Sequence, residues 1–212
     1  MFAHQLTPHL QELMELLGPV VPPQTYLAGG TALSIHLGHR ASFDLDLYTP
    51  IPFIEQQLIQ QWEQTVPKFS LTSSSWQTVI GTSSDAEVSI FLYEYPLLSP
   101  KVAFKSLQLA SVKDIGCMKI EAIANRGMKR DFFDLYSICI QTEMPLSEVI
   151  ALTIQKYNRQ QSDLPHIFKS LVYFEDAEHL PERAQIVDEA WQEVKEYFTT
   201  QVPPIMKNYL AN

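Results

Sequence analysis

Two aspartates one residue apart, Asp44 and Asp46, and a glycine pair followed by a threonine, Gly29, Gly30 and Thr31, are the parts of this 212-residue chain best suited to chemistry. In an extended strand, side chains two apart point the same way, so Asp44 and Asp46 present their carboxylates side by side. Two such groups repel unless a cation sits between them. A hard divalent ion such as Mg²⁺ (or Mn²⁺) prefers oxygen ligands and is commonly held by one or two carboxylates plus substrate phosphates. It would neutralise charge on a phosphate and lower the pKa of an attacking hydroxyl. On spacing alone the plainer reading is the commoner one: a solvated polar face of an edge strand, with Leu45 and Leu47 turned to the core. The glycine pair supplies a complementary group. Bare backbone at the start of a helix lets an anion approach unpaired N–H groups and the positive end of the helix dipole, and the Thr31 hydroxyl adds a donor. A tight turn that simply needs glycine for positive φ is the alternative. The two motifs together argue more strongly for a phosphate-handling site than either does alone.

The surrounding pattern predicts what must position them. Leu6, Leu10, Leu13, Met14 and Leu17 recur at helical spacing, which gives an amphipathic helix over residues 4–17, ended by Gly18 and the prolines at 22 and 23. Residues 25–28 read as a short strand and 31–37 as a helix closed by Gly38, so the glycine pair falls between strand and first helical turn. Residues 42–48 alternate, with Phe43, Leu45 and Leu47 opposed to Ser42, Asp44 and Asp46, as in a half-exposed strand. A helix over 53–64 and strands near 69–73, 77–81 and 87–95 follow. Beyond Pro96 and Pro100 the chain reads as helices over 112–125, 131–140, 146–157 and 182–198. The order predicts an α+β protein with a mixed core over residues 1–110 and a helical region over 111–212.

Composition narrows the classes. A chain with 46% hydrophobic and 11% aromatic residues can bury a proper core. It shows no leader-like start and no stretch approaching the roughly 20 apolar residues that cross a bilayer, so no membrane association and a cytoplasmic location are expected. Cys117 and Cys139 lack metal or redox spacing and read as buried thiols. His36 and His39 flank Gly38 without a zinc-like partner, and read as surface or satisfied core histidines. A net charge of −9 opposes a broad nucleic-acid footprint. A local exception is residues 113–130, with Lys113, Lys119, Arg126, Lys129 and Arg130 against Asp114 and Glu121, whereas residues 175–196 carry eight acids against two bases. A polyanion would have to meet the first stretch and avoid the second.

The blocks YLAGGTAL at 26–33, GHRASFDLDL at 38–47, IGCMKIEAIANR at 115–126 and KRDFFDLY at 129–136 resemble, in order, the AbiEii/AbiGii toxin family of nucleotidyltransferases within the DNA polymerase β superfamily. The resemblance implies a polymerase β-like core, a mixed sheet flanked by helices, with a helical C-terminal region. It implies transfer of a nucleotide from an NTP to an acceptor hydroxyl such as the 3′ end of tRNA, a protein or a small molecule, and an antitoxin partner. Position by position, Gly29, Gly30 and Thr31 match the phosphate-holding turn, and Asp44 and Asp46 the metal pair. Lys119 matches the lysine of the helical block, and Asp131 with Asp134 the later Arg-Asp-x-x-Asp block. Lys119 and Arg126 lie seven residues apart and can share one helix face toward a triphosphate. Arg40 and Ser42, just before the aspartates, are placed to touch phosphate.

Each role has a structural competitor. Without the resemblance Lys119 reads better as a solvated cation on an amphipathic helix; Asp131 also reads as a helix cap, and Asp134 as a salt-bridge partner of Arg130 or Lys129. The aromatics Phe43, Phe132, Phe133 and Tyr136 are most simply core residues. The superfamily often has a third carboxylate on a later strand; here that position aligns with Ser89, with Glu87, Asp131 or Asp134 as substitutes. This departure keeps a second reading open, a non-catalytic nucleotide-binding or regulatory protein that retains the fold. An acidic C-terminal helix that docks a basic partner is a third.

Overall fold

The computed structural model describes residues 1–179 and 186–210. The chain divides into two compact units, Met1–Ser111 and Val112–Asn212. In the first, a 3₁₀ turn at Ala3–Gln5 precedes α1 (Pro8–Leu17), which starts later than the periodicity predicts because Thr7 caps it and Pro8 occupies its first position. Then come β1 (Tyr26–Leu27), α2 (Gly29–Leu37), β2 (Leu45–Thr49), α3 (Glu55–Thr65), β3 (Phe69–Ser75), β4 (Thr78–Ser83), β5 (Ala86–Leu92), β6 (Val102–Phe104) and β7 (Leu107–Leu109). The strands form one mixed sheet in the order β3-β4-β5-β2-β1-β7-β6. The central strand β2 runs antiparallel to β1 and parallel to β5. Helix α1 packs on α3 and β7, α3 on β3 and β4, and α2 on β2.

Two sequence expectations fail here for physical reasons. Strand β2 begins at Leu45, not at residue 42, because its ladder starts at the Leu45–Val88 pair. Ser42 is buried, so its neighbour Phe43 turns outward and is 38% exposed rather than in the core. Strands β6 and β7 fall where no element is expected. Three residues are too few to show alternation, and their hairpin turns at Lys105, whose φ is 51°.

The second unit is helical: α4 (Val112–Arg126), α5 (Lys129–Gln141), α6 (Leu146–Tyr157), α7 (Leu164–Ser170), α8 (Glu175–His179) and α9 (Asp188–Leu210). The short α7 and α8 are additions to the sequence reading. Helix α9 continues past residue 198 and through Pro203 and Pro204, while residues 182–185 of the expected helix lie outside those described. The alternating ridge of Ile115, Ile120 and Ile123 on α4 is buried, and Gly116 allows α6 to approach, since a Cβ there would sit 3.1 Å from Val149. Phe132 of α5 is the aromatic centre, with ring centroids 5.2 Å from Phe174, 5.9 Å from Trp191 and 5.5 Å from Phe198. Cys117 and Cys139 are free and buried, and burial pushes both thiols up to about 11. No helix among the described residues is long and apolar enough to cross a membrane.

Phe132 is fully buried, so Phe132→Ala leaves a cavity among three aromatic rings. It is expected to lower unfolding free energy by about 3–5 kcal/mol, read from urea denaturation followed by tryptophan fluorescence.

Candidate active site

The glycine corner is shaped by the side chains that lie on it. After β1, Gly29 takes a left-handed φ of 65° and starts α2. The antiparallel pairing of Leu27 with Leu47, extended by the hydrogen bond from Ala28 N to Asp46 O at 3.0 Å, brings Asp46 to this corner. A Cβ on Gly29 would collide with Asp46 Oδ2 and stand 3.2 Å from its Cγ. A Cβ on Gly30 would lie 2.6 Å from Arg40 Nη2 and 3.1 Å from Ser42 Oγ. Both glycines are therefore needed for close approach, and Gly29 also for its backbone angle. Thr31 is fully buried; its hydroxyl donates to the main-chain oxygen of Asp44 and lies 2.9 Å from Ser42 Oγ. That hydroxyl is committed to the segment carrying the aspartates, so it positions the site instead of facing a ligand.

The aspartates are anchored by β5. Along β2, Leu45, Leu47 and Thr49 are buried while Asp46 and Tyr48 are partly open. Asp46 pairs in parallel register with Ser89, whose Oγ donates to Asp46 Oδ1 at 3.1 Å. The Glu87 backbone N–H donates to Asp44 Oδ1 at 3.3 Å. Two carboxylates, one near the start of β2 and one on the residue just before that strand, bordered by hydroxyls and bare glycine backbone, form an all-oxygen donor set that suits a hard divalent cation whose remaining ligands come from phosphate and water. Among the described residues no third Asp, Glu, His or Cys joins them as a metal ligand. His36, on the opposite end of α2, bonds through Nε2 to Ala110 O at 2.9 Å; burial lowers its pKa, with the Ala110 bond opposing.

In the second unit, Lys119 of α4 is only 5% exposed and its Nζ lies 2.9 Å from Asp131 Oδ1 and 2.6 Å from Asp134 Oδ2. Arg126 grips Asp131 with Nε to Oδ2 at 2.8 Å and Nη2 to Oδ1 at 3.0 Å. Lys119 is thus neither a solvated cation nor an open phosphate hook, because two carboxylates of α5 surround its ammonium. Asp131 is not the cap of α5; Met128 holds that position without a side-chain hydrogen bond. Burial by itself raises the Asp131 pKa, but Lys119 and Arg126 outweigh it and hold the carboxyl below its usual range. A second buried pair, Lys156 with Asp114 at 2.8 Å, ties α6 to α4; neither residue belongs to a recognisable motif, so the sequence does not signal it. The structure therefore gathers Gly29, Gly30, Thr31, Arg40, Ser42, Asp44 and Asp46 in the first unit, and Lys119, Arg126, Asp131 and Asp134 in the second.

The model of the family described as "Nucleotidyl transferase AbiEii toxin, Type IV TA system" matches residues 90–211. A protein of Aquifex aeolicus (strain VF5), aq_aa25, is 39% identical over 191 residues, 88% of each chain. Among solved structures, JHP933 from Helicobacter pylori aligns with a TM-score of 0.53 at 15% identity, over 99% of this chain and 96% of that one. The antibiotic-resistance factor ANT(2'')-Ia aligns with a TM-score of 0.53 at 16% identity, over 78% of this chain and 97% of that one. The mixed sheet and its flanking helices are the polymerase β-like nucleotidyltransferase fold. The chain belongs to the AbiEii nucleotidyltransferase toxin family. The family match begins one residue after Ser89, so the glycine corner and the aspartate pair lie outside it.

Two substitutions probe the two sets. Gly29→Ala forces a left-handed alanine, costing about 1–2 kcal/mol, and pushes the Asp46 carboxylate off the corner; calorimetry should show reduced Mn²⁺ affinity in a chain that still folds by circular dichroism. Asp131→Asn leaves Lys119 buried against a single carboxylate and is expected to destabilise by about 3–5 kcal/mol at pH 7. Because the folded pKa of Asp131 is depressed, its stabilisation is present above the unfolded value of about 3.9 and fades as pH falls through the folded one. The stability gap between wild type and variant should therefore narrow in urea titrations below about pH 4.

Proposed function

We propose that this chain moves a nucleotide from an NTP to an acceptor hydroxyl, as the toxin of a toxin–antitoxin pair, with Asp44 and Asp46 holding a divalent cation, Mg²⁺ or Mn²⁺. The observation that carries the reading is the placement of the Asp46 carboxylate directly on Gly29, with Asp44 two residues before it and Arg40 over Gly30. The cation, when bound, supplies charge neutralisation at the phosphates and polarises the reacting centre. The chain's own residues do the rest. The bare backbone at Gly29 and Gly30 admits the phosphate tail, and Arg40, whose Nη1 donates to Ala41 O at 3.0 Å, places its positive charge over Gly30. Thr31 and Ser42 hold the aspartate segment in place. The acceptor oxygen forms a bond to the α-phosphorus as the bond to pyrophosphate breaks, and the acceptor proton leaves to solvent or a nearby base.

Lys119, Asp131 and Asp134, with Arg126 tied to the same cluster, are proposed to hold α4 and α5 together. This revises the view of residues 113–130 as a basic landing strip. Lys119 is buried, Arg126 is engaged by Asp131, Lys113 pairs with Glu148 at 3.0 Å, and Lys129 sits 5.3 Å from the Trp191 ring centroid. At least four of the five cations are thus engaged within the unit, which leaves less charge for counterion displacement along a polynucleotide. An RNA acceptor would then be recognised at its end, and a protein or small-molecule hydroxyl fits equally well. The Ser89 position favours the second reading, a nucleotide-binding protein without transfer.

The test is incubation with each labelled NTP, Mg²⁺ or Mn²⁺, and bulk tRNA or cell extract. Label should pass to an acceptor, and chelation by EDTA should stop it. Asp46→Asn should lower transfer at least about a hundredfold, the scale on which one preorganised transition-state contact acts. Nucleotide binding that survives Asp46→Asn with no acceptor labelled in any extract would support the non-catalytic reading.

A further inference from the structure

We infer that the site takes one divalent cation per chain rather than two, with Ser89 as a positioning residue for Asp46; this rests on the proposed function above. The parallel register of β2 and β5 sets Ser89 beside Asp46, in the place from which a third acidic side chain would reach the same ion site. Ser89 is 1% exposed, and its hydroxyl proton is spent on Asp46 Oδ1. A neutral hydroxyl in that orientation brings no charge to a second ion. The ligand count points the same way. One divalent ion offsets Asp44 and Asp46, whereas a second would find no further carboxylate grouped with them among the described residues and would rest on nucleotide phosphate alone.

The substitutes do not fill the gap. Glu87 is two residues before Ser89 on β5, and its exposed side chain does not join Asp44 and Asp46 in a three-ligand group. What Glu87 contributes is its backbone N–H to Asp44 Oδ1. Asp131 and Asp134 are already neutralised by Lys119 and Arg126, and recruiting either would strand a buried cation. Ser89 in turn does for Asp46 what the Glu87 amide does for Asp44. Each fixes one oxygen of its carboxylate.

The experiment is a Mn²⁺ titration of the full chain, alone and with one equivalent of a non-hydrolysable NTP, counting bound ions by electron paramagnetic resonance after subtraction of a nucleotide-only control. Wild type should saturate at one ion per chain and Ser89→Ala also at one. Ser89→Asp should take a second, with its fold checked by circular dichroism. Two ions in wild type would overturn the inference while leaving the proposed function intact. No bound ion in wild type, even with nucleotide, would instead remove the proposed function on which the inference stands. A folded Ser89→Asp that still binds one ion would overturn the role given to Ser89.

Discussion

A carboxylate oxygen of Asp46 occupies the space that a side chain at position 29 would need, and the geometry of the first unit is organised around that contact. It requires a residue without a Cβ, a left-handed backbone turn, and a strand register that delivers Asp46 opposite Ala28. The first two conditions converge on glycine for separate reasons, one steric and one conformational. The third comes from the sheet, where β2 lies between β1 and β5 and each neighbour fixes one side of the aspartate segment. A site held by a strand on one side and a helix start on the other is more exact than one built on loops, because packing locks both elements. Thr31 closes the arrangement from within by tying the first turn of α2 to Ser42 and to the Asp44 main chain.

The second unit follows a different electrostatic logic. It buries ions in its interior, Lys119 with Asp131 and Asp134, and Lys156 with Asp114, each with side chains at or near full burial. Such pairs seldom add much net stability, because the desolvation of both charges offsets their attraction. What they do is penalise any other arrangement, since a shift of α5 along α4 would leave a charge buried without its partner. Arg126, half-exposed and bidentate on Asp131, extends that constraint to the end of α4. The blocks IGCMKIEAIANR and KRDFFDLY are thus two halves of one ion cluster, which explains why a lysine and two aspartates twelve or more residues apart occur together.

How much of this could be read from the sequence depended on the range of the interaction. Periodic helices such as α6 and the alternation within β2 were legible because burial on one face writes a repeat into the chain. The pairs β6 and β7 were not, since three residues carry no repeat and β7 is held by its parallel partner β1. Ser89 was singled out by position along the chain, yet its hydrogen bond to Asp46 depends on a register between strands 43 residues apart. The types of Thr31 and Ser42 allow them to face a ligand; which way a hydroxyl turns is decided by the segment packed against it. Lys119 misled for a related reason. A lysine on an amphipathic helix is ordinarily solvated, and only the tertiary placement of α5 shows that two carboxylates meet it.

The charge of the chain gives this arrangement a consequence for how it would bind. A protein of net charge −9 with two carboxylates at its site repels a nucleotide phosphate tail, and the same two carboxylates alone make only a partial shell for a divalent ion. Arg40 lies against the glycine corner, but one guanidinium cannot offset both the aspartates and a triphosphate. Under the proposed function, cation and nucleotide favour each other's binding, each supplying what the other lacks. Linkage makes that coupling reciprocal, so the factor by which the nucleotide tightens the ion equals the factor by which the ion tightens the nucleotide. Because the aspartates are fixed by backbone and hydroxyl donors before any ligand arrives, that coupling would come from electrostatics at a preorganised corner and not from folding of the site around its substrate.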